Sequence, residues 1–297
     1  MYVYLNGDFV TDQEAKISVF DHGFLYGDGV FEGIRAYNGR IFGLDEHVDR
    51  FFESAHSIML ELPLSRKEMK EAILETVRRN NLCDAYIRPV ASRGKGPLGL
   101  DPSRCHKVTL VIIVDAETRH HEYIGQKTEG EKGIKAVTVS TRRNGPDVLS
   151  PRVKSTNYLN NILAKLQSQA AGAQEAIFLN AQGLVCELTG ENMFIVKNSR
   201  VITPPLWVGV LDGVTRRTIL RIARAQGIEA VEEPLTIHEL YTSDECFATA
   251  TRLEVLPIVM IDGRRIGEGS VGPITVQIKQ GFMDLVSREG TPIYGES

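Results

Sequence analysis

Three dipeptides constrain the fold of this 297-residue chain more than any other feature. Asn6-Gly7, Asn38-Gly39 and Asp262-Gly263 each stand beside runs of strand-forming residues. Asn-Gly readily takes the positive φ values of a type I′ turn, whose twist matches two antiparallel strands. The spacing predicts one hairpin from Val3–Leu5 and Asp8–Val10, and a second from Val30–Tyr37 and Arg40–Phe42. Another strand, Val255–Ile261, runs into the Asp262 turn. Strands joined this tightly and mixed with helices indicate an α+β fold rather than a doubly wound parallel sheet.

The helices announce themselves by period and by caps. Leu44, Val48, Phe51, Phe52, Ala55 and Met59 form an apolar stripe on a helix that begins near Asp45. Ser65-Arg-Lys-Glu68 is a capping box that opens a helix reaching about Asn80. Ala85–Ala91 and Val108–Val114 read as buried strands, whereas Asp21–Gly29 carries too much glycine and polarity for a regular element. Residues 116–133 are polar and lack an apolar period, so they read as a linker between a small N-terminal α/β domain, 1–115, and a larger domain, 134–297. The second half begins with strand Ile134–Ser140. A helix follows with Leu159, Ile162, Leu163 and Leu166 on its apolar face, then strands near Glu175–Leu179, Leu184–Leu188 and Met193–Val196. Ile219, Ile222 and Ala223 give a helix after Gly213 its apolar face, Glu245–Ala250 is a strand, and Pro273 suits the first position of a last helix.

Composition excludes several functions. A net charge of −4 supplies no basic field for nucleic acid or an anionic membrane. No apolar run is long enough to span a bilayer. The start, Met1 to Asp8, reads as strand and turn rather than a signal peptide. Cys83, Cys105, Cys186 and Cys246 form no Cys-x-x-Cys and have no histidines at zinc spacing, which indicates reduced cytoplasmic thiols and no bound metal. His120-His121 sits in a polar stretch and reads as solvated loop. Gly27, Gly29 and Gly33 are spaced one residue too widely for a dinucleotide fingerprint, and a strand rather than a helix follows them.

Lys154 stands between a loop and a helix, where its side chain can enter a cleft. A lysine becomes a nucleophile when desolvation or nearby positive charge keeps its amine neutral, and Arg142, Arg143 and Arg152 are close in sequence. Glu187 ends a strand, and a carboxylate facing a pyridine nitrogen keeps that nitrogen protonated. In Leu211-Asp-Gly-Val-Thr215, the free amides of Val214 and Thr215 and the Thr215 hydroxyl would form an anion site at a helix start. Thr251 could add a second hydroxyl, and Arg50 a charge-assisted bond. Taken alone, Lys154 and Glu187 read more readily as surface residues, and Thr215 equally as a plain helix start.

Five ordered motifs change that balance: Tyr26-Gly-Asp-Gly-Val-Phe-Glu-Gly-Ile-Arg35, Ala85-Tyr-Ile-Arg-Pro89, Val153-Lys-Ser-Thr-Asn-Tyr-Leu159, Cys186-Glu-Leu-Thr-Gly-Glu-Asn192 and Leu211-Asp-Gly-Val-Thr-Arg216. With them the chain resembles, over nearly its whole length, the branched-chain amino acid aminotransferases of the fold-type IV pyridoxal-phosphate class. The resemblance implies a large domain built on a mixed, barrel-like sheet, with pyridoxal 5'-phosphate as cofactor. It also implies reversible transfer of an amino group between L-branched-chain amino acids and 2-oxoglutarate. Lys154 matches the lysine that bonds the cofactor and moves a proton between its C4′ and the substrate α-carbon. Glu187 matches the partner of the ring nitrogen, Tyr158 that of the phenolic oxygen, and Leu211 the side chain under the ring. Arg50, Val214, Thr215 and Thr251 match the phosphate cup. Phe31, Gly33, Tyr86 and Arg88 match the substrate pocket, and Tyr26 a residue reaching in from a neighbouring subunit. That last match implies a homodimer at the least, extendable to a hexamer.

One departure stands out. The family usually reads Gly-Thr-Ala-Ala-Glu where this chain reads Ala250-Thr-Arg-Leu-Glu254, so Arg252 adds bulk and charge beside the substrate. D-amino acid aminotransferase and aminodeoxychorismate lyase share the fold and are the alternatives, as is a silent cofactor-binding homologue. The aromatic Phe31 and the Tyr86/Arg88 pair favour the branched-chain enzyme.

Overall fold

Asn6, Asn38 and Asp262 adopt φ values of 55°, 49° and 50°, each followed by a positive-φ glycine, so all three dipeptides make their turns. They join β1 (Tyr2–Leu5) to β2 (Asp8–Thr11), β4 (Ile34–Tyr37) to β5 (Arg40–Phe42), and β15 (Glu254–Ile261) to β16 (Arg264–Arg265), all antiparallel. The computed structural model describes residues 1–116 and 133–295. The pair His120-His121 and most of the expected linker lie outside the described residues.

The chain divides into two units. Among the described residues unit 1 comprises 1–116, Val153–Asn157 and 286–295, and unit 2 comprises 133–152 and Tyr158–Leu285. Unit 1 is built on a sheet ordered β17-β5-β4-β6-β7-β1-β2, where β6 is Ala85–Ser92, β7 is Thr109–Ala116 and β17 is Thr291–Pro292. A short strand, β3 (Gly29–Phe31), also pairs with β6. Helices α2 (Leu44–Ser57) and α3 (Arg66–Arg79) lay Val48, Phe51, Met69, Ile73 and Val77 against Ile87 and Ile112 of the sheet. The capping box opens α3 as expected: the Glu68 amide donates to the Ser65 hydroxyl, and the Ser65 amide to the Glu68 carboxylate.

In unit 2 six strands close on themselves. They are β8 (Ile134–Thr138), β9 (Glu175–Leu179), β10 (Val185–Leu188), β11 (Asn192–Lys197), β14 (Glu245–Ala250) and β15. Strand β8 runs parallel to β9 and β15, and the remaining pairs, including the closing pair β10–β11, are antiparallel. The barrel is therefore mixed, and the fold is α+β. Closure removes exposed strand edges, so strands such as β9 and β10 are buried along their whole length. Strands β12 (Arg200–Thr203) and β13 (Ala230–Glu232) extend this sheet. The α-helices of unit 2 among the described residues are α4 (Leu159–Ala170), α5 (Val214–Ala225), α6 (Ile237–Tyr241) and α7 (Pro273–Val286).

Several expectations differ from this picture. Val30–Tyr37 is two strands, β3 and β4, broken at Glu32-Gly33. Both pair with β6, but the break faces the stretch containing Pro89, which has no N–H to give a ladder; the Glu32 amide donates to the Pro89 carbonyl. Asp21–Gly29 contains a short helix, α1 (His22–Tyr26), whose Gly23 amide is capped by the Asp21 side chain. Met59 falls beyond the end of α2, with φ at 53°, and is exposed. On α4 the apolar face is turned outward: Leu159, Ile162, Leu163 and Leu166 are 68, 54, 47 and 55 % exposed, while Asn161, Ala164 and Ser168 are buried.

The division into units also departs from contiguous domains. Val153–Asn157 leaves its sequence neighbours because its backbone is held by β3, and Val153 packs against the unit 1 core. The last described residues join unit 1 because β17 pairs with β5 and Ile293 is buried in that core.

Candidate active site

In unit 1 the Lys154 segment behaves as an extra strand edge. The Phe31 amide donates to the Lys154 carbonyl at 2.9 Å, Val30 and Ser155 form an antiparallel bridge, and the Thr156 amide donates to the Gly29 carbonyl. From the other side the Lys154 amide donates to the Ser54 hydroxyl at 3.1 Å, so α2 also fixes the segment. Lys154 Nζ then lies 4.7 Å from the centre of the Phe31 ring, and the Arg88 guanidinium carbon lies 4.6 Å from it. Arg88 donates to the Tyr86 hydroxyl at 2.6 Å. Tyr86 and Arg88 share a face of β6 because they are two residues apart on a strand. Gly33 closes the group: a Cβ there would collide with the Tyr86 hydroxyl. Four expected pocket residues, Phe31, Gly33, Tyr86 and Arg88, are thus gathered around Lys154.

Below Phe31 lies a buried ionic cluster that sequence reading missed except for Arg50. Glu32 is 0 % exposed. Its carboxylate accepts from Arg50 Nε at 2.6 Å, Arg50 Nη2 at 2.9 Å, His47 Nδ1 at 2.9 Å and the Gly33 amide at 3.1 Å. Burial alone would raise this carboxyl, but the charge of Arg50, followed by His47, outweighs it and holds Glu32 well below the usual carboxylate range. Burial pushes His47 down, and the attraction of Glu32 does not reverse the shift. A neutral His47 must then carry its proton on Nδ1, since ionised Glu32 can only accept. The available signals were a glutamate inside an apolar strand, and the polar His47, Arg50 and Ser54 on one face of a helix.

Tyr26, on α1, is placed apart from this group. Its hydroxyl accepts from the Gly99 amide at 3.0 Å, and its ring meets His22 edge-on.

In unit 2 Glu187 lies on β10 and is 5 % exposed. Oε1 accepts from Arg143 Nε at 2.9 Å and from Nη2 at 2.7 Å. Oε2 accepts from the Leu211 amide at 3.0 Å and from Asn192 Nδ2 at 3.1 Å. Asn192 also donates to the Leu211 carbonyl at 2.9 Å, and its amide oxygen occupies the space a Cβ at Gly213 would need. The turn 211–213 is thereby locked to Glu187. Arg143, read above as a charge acting on Lys154, directs Nε and Nη2 to Glu187 and Nη1 to Asn161 Oδ1; this role and that of Asn192 were not foreseen.

Gly213 opens α5 without a side-chain cap, although Val214 and Thr215 are buried. Buried helix amides without a capping group are the usual mark of a ligand site, and the helix dipole favours an anion there. The Thr249 hydroxyl, opposite Asn192 across β11 and β14, is buried and has no hydrogen-bond partner among the described residues. Thr251 and Arg252 occupy the three-residue turn that follows β14, both half-buried. Tyr158 stands at the N-cap of α4 and leaves that helix without a side-chain cap. Among the described residues no group of three or more His, Cys, Asp or Glu is placed to hold a metal. No helix among them is long and apolar enough to cross a membrane.

Comparison with known proteins yields consistent relatives. The profile of the amino-transferase class IV family matches residues 29–261. A Methanocaldococcus jannaschii protein, provisionally named a branched-chain-amino-acid aminotransferase, is 51 % identical over 296 residues covering 100 % of both chains. The crystal structure of the Thermoproteus uzoniensis branched-chain aminotransferase with norvaline matches at a TM-score of 0.91 and 39 % identity, covering 99 % of each chain. A T.th. branched-chain amino acid aminotransferase, in its crystal structure with N-(5'-phosphopyridoxyl)-L-glutamate, matches at 0.90 and 37 %, covering 96 % of this chain and 94 % of the other.

Proposed function

This chain belongs to the amino-transferase class IV family, and we propose that it exchanges an amino group between L-branched-chain amino acids and 2-oxoglutarate, with Lys154 as the residue bonded to pyridoxal phosphate. One observation carries the substrate assignment. The Phe31 ring is flanked by the Lys154 amine and by Arg88, itself tied to Tyr86. An aromatic wall suits a branched aliphatic side chain, and the arginine suits the distal carboxylate of glutamate when that substrate enters. The phosphopyridoxyl-glutamate adduct of the T.th. relative supports the same cofactor and the same amino donor here.

The residues fit the cofactor. In unit 2 the uncapped, buried start of α5 offers the Val214 and Thr215 amides and the Thr215 hydroxyl to a phosphate, with Thr251 as a further donor; in unit 1 Arg50 directs Nε and Nη2 to Glu32. Glu187 offers a carboxylate to the ring nitrogen, Tyr158 a hydroxyl to the phenolic oxygen, and Leu211 an apolar surface to the ring. When bound, pyridoxal phosphate supplies an electron sink for the charge left at the substrate α-carbon. The amine of Lys154 moves the proton between that carbon and C4′. Its backbone, held by Phe31 on one side and Ser54 on the other, limits where that amine can reach. Arg88 orients the distal carboxylate, and Arg252 adds a positive charge to the turn that tunes substrate choice.

The active form is a homodimer at the least. The outward apolar face of α4 in unit 2, and the exposed Phe24, Leu98 and Leu100 in unit 1, support association of copies. Tyr26 is then the residue offered to a neighbouring subunit. A cytoplasmic location suits the four free cysteines.

A panel of amino donors with 2-oxoglutarate tests the assignment. L-leucine, L-isoleucine and L-valine are expected to lead; faster turnover of D-alanine overturns it, and a fully active monomer in sedimentation overturns the dimer.

A further inference from the structure

Glu187 is saturated before any ligand arrives. A carboxylate offers about four lone-pair sites, and the four donors named above fill them. The two oxygens are held in different ways. Among the described residues Oε1 is gripped by Arg143 alone, through two bonds of 2.7 and 2.9 Å. Oε2 is held only by neutral amides, at 3.0 and 3.1 Å. All four bonds end on a carboxylate, but only those from Arg143 also join opposite charges in an ion pair, so they are the stronger. A new donor therefore competes with the amides at Oε2 and not with the arginine at Oε1. The longest of the four bonds is that from Asn192 Nδ2, whose other hydrogen keeps the side chain tied to the Leu211 carbonyl if that bond is lost.

Arg143 is anchored for this task. Its own amide donates to the Leu179 carbonyl at 3.0 Å, and its guanidinium lies 5.6 Å from the centre of the buried Phe178 ring. Both charged side chains are nearly buried, at 9 and 6 % exposure. A buried ion pair is seldom kept for stability, since a well-packed apolar pair often does as well. Its use here is directional: it fixes the plane of the Glu187 carboxylate and leaves Oε2, held by two amides, as the oxygen for which a further donor can compete.

We propose that Arg143 is the positioning residue for recognition of the cofactor ring nitrogen, acting only through Glu187 and leaving Oε2 to meet that nitrogen. The proposal rests on the reading of Glu187 as the ring-nitrogen partner. Arg143 is not a catalytic residue in this account, because it touches neither cofactor nor substrate.

The test is a binding experiment on the apoprotein with two probes, pyridoxal phosphate and 1-deazapyridoxal phosphate, in which the ring nitrogen is replaced by CH. Dissociation constants and the absorption maximum of the bound cofactor are measured for wild type, Arg143→Gln, Arg143→Lys, Glu187→Gln and the Arg143→Gln/Glu187→Gln double variant. Melting of each apoprotein reports folding. Arg143→Gln should weaken pyridoxal phosphate by about tenfold or more, by analogy with groups that orient metal ligands, and shift its absorption maximum. It should leave the deaza analogue within about twofold, and the double variant should match Glu187→Gln alone. Arg143→Lys keeps the charge without the fork, so an intermediate loss for pyridoxal phosphate only is expected; this variant carries the test if the glutamine variant does not fold. Equal losses for both probes, or additive losses in the double variant, overturn the proposal. If wild type does not distinguish the probes and Glu187→Gln binds normally, the reading of Glu187 fails, and the role of Arg143 fails with it.

Discussion

Each unit buries one carboxylate under four protein donors, and the two are wired differently. In unit 1 Arg50 spans both oxygens of Glu32, and His47 and the Gly33 amide fill the rest. In unit 2 Arg143 takes a single oxygen of Glu187, and two neutral amides hold the other. A guanidinium spread over both oxygens consumes the acid as a link between a strand and a helix. A guanidinium on one oxygen orients the acid and leaves the other oxygen to uncharged amides. The same residue pair, Glu and Arg, thus serves as a strut in one unit and, on the proposal made above, as a presented group in the other. Donor count does not separate these roles; the distribution of charge over the two oxygens does.

The largest effect is expected at Lys154, the group proposed to bond the cofactor. Lys154→Ala should lower transamination of L-leucine by at least about 10³-fold with an unchanged circular dichroism spectrum, since the backbone contacts of the segment remain; substantial residual turnover would remove Lys154 from the reaction. The strut is next. Glu32→Gln leaves Arg50 buried without its matching charge and should cost about 3–5 kcal/mol in urea unfolding. A loss under about 1 kcal/mol would mean that Glu32 is not the strut described.

Gly213 probes the second unit. A Cβ there meets the amide oxygen of Asn192, so Gly213→Ala should cost about 1–3 kcal/mol by overpacking. Because Asn192 joins Glu187 to the turn before α5, weaker cofactor binding should accompany that loss. Normal affinity at reduced stability would show that the lock is packing alone.

The smallest effect is a pH dependence confined to the strut. His47 is depressed from 6.5 by burial, so below about that value the unfolded chain takes up a proton that the folded chain refuses. Stability contributed by neutral His47 is therefore lost as the pH falls from there. Glu32 is depressed from 4.5, so its contribution is complete above that value and is lost as the pH drops further. Unfolding free energy should decline first below about 6.5 and more steeply below about 4.5. His47→Gln should remove the first decline and leave the second; an unchanged profile in that variant would assign the decline to other groups.

Much of this was legible in the chain because it is local. Turns at Asn6, Asn38 and Asp262 depend on two residues each, and the Ser65 capping box on four. The motifs around Lys154, Glu187 and Thr215 are also contiguous, which is why family and cofactor could be read before any fold was known. The α4 face shows where such reading stops: periodicity at Leu159, Ile162, Leu163 and Leu166 establishes a stripe, but not whether it meets the core or faces outward.

Sequence alone therefore determined most of the longer elements, the turns at Asn6, Asn38 and Asp262, and the family. Only tertiary structure decided that Val153–Asn157 is held by β3 in unit 1, that Glu32 is a buried strut, and that Arg143 belongs to Glu187 rather than to Lys154. The physical reason is distance along the chain. Arg143 and Glu187 are 44 residues apart, and Arg50 and Glu32 are 18 apart. No spacing rule pairs charges over such intervals. Their pairing follows from which side chains the barrel and the sheet exclude from water, and a charge excluded from water must find its partner within the fold.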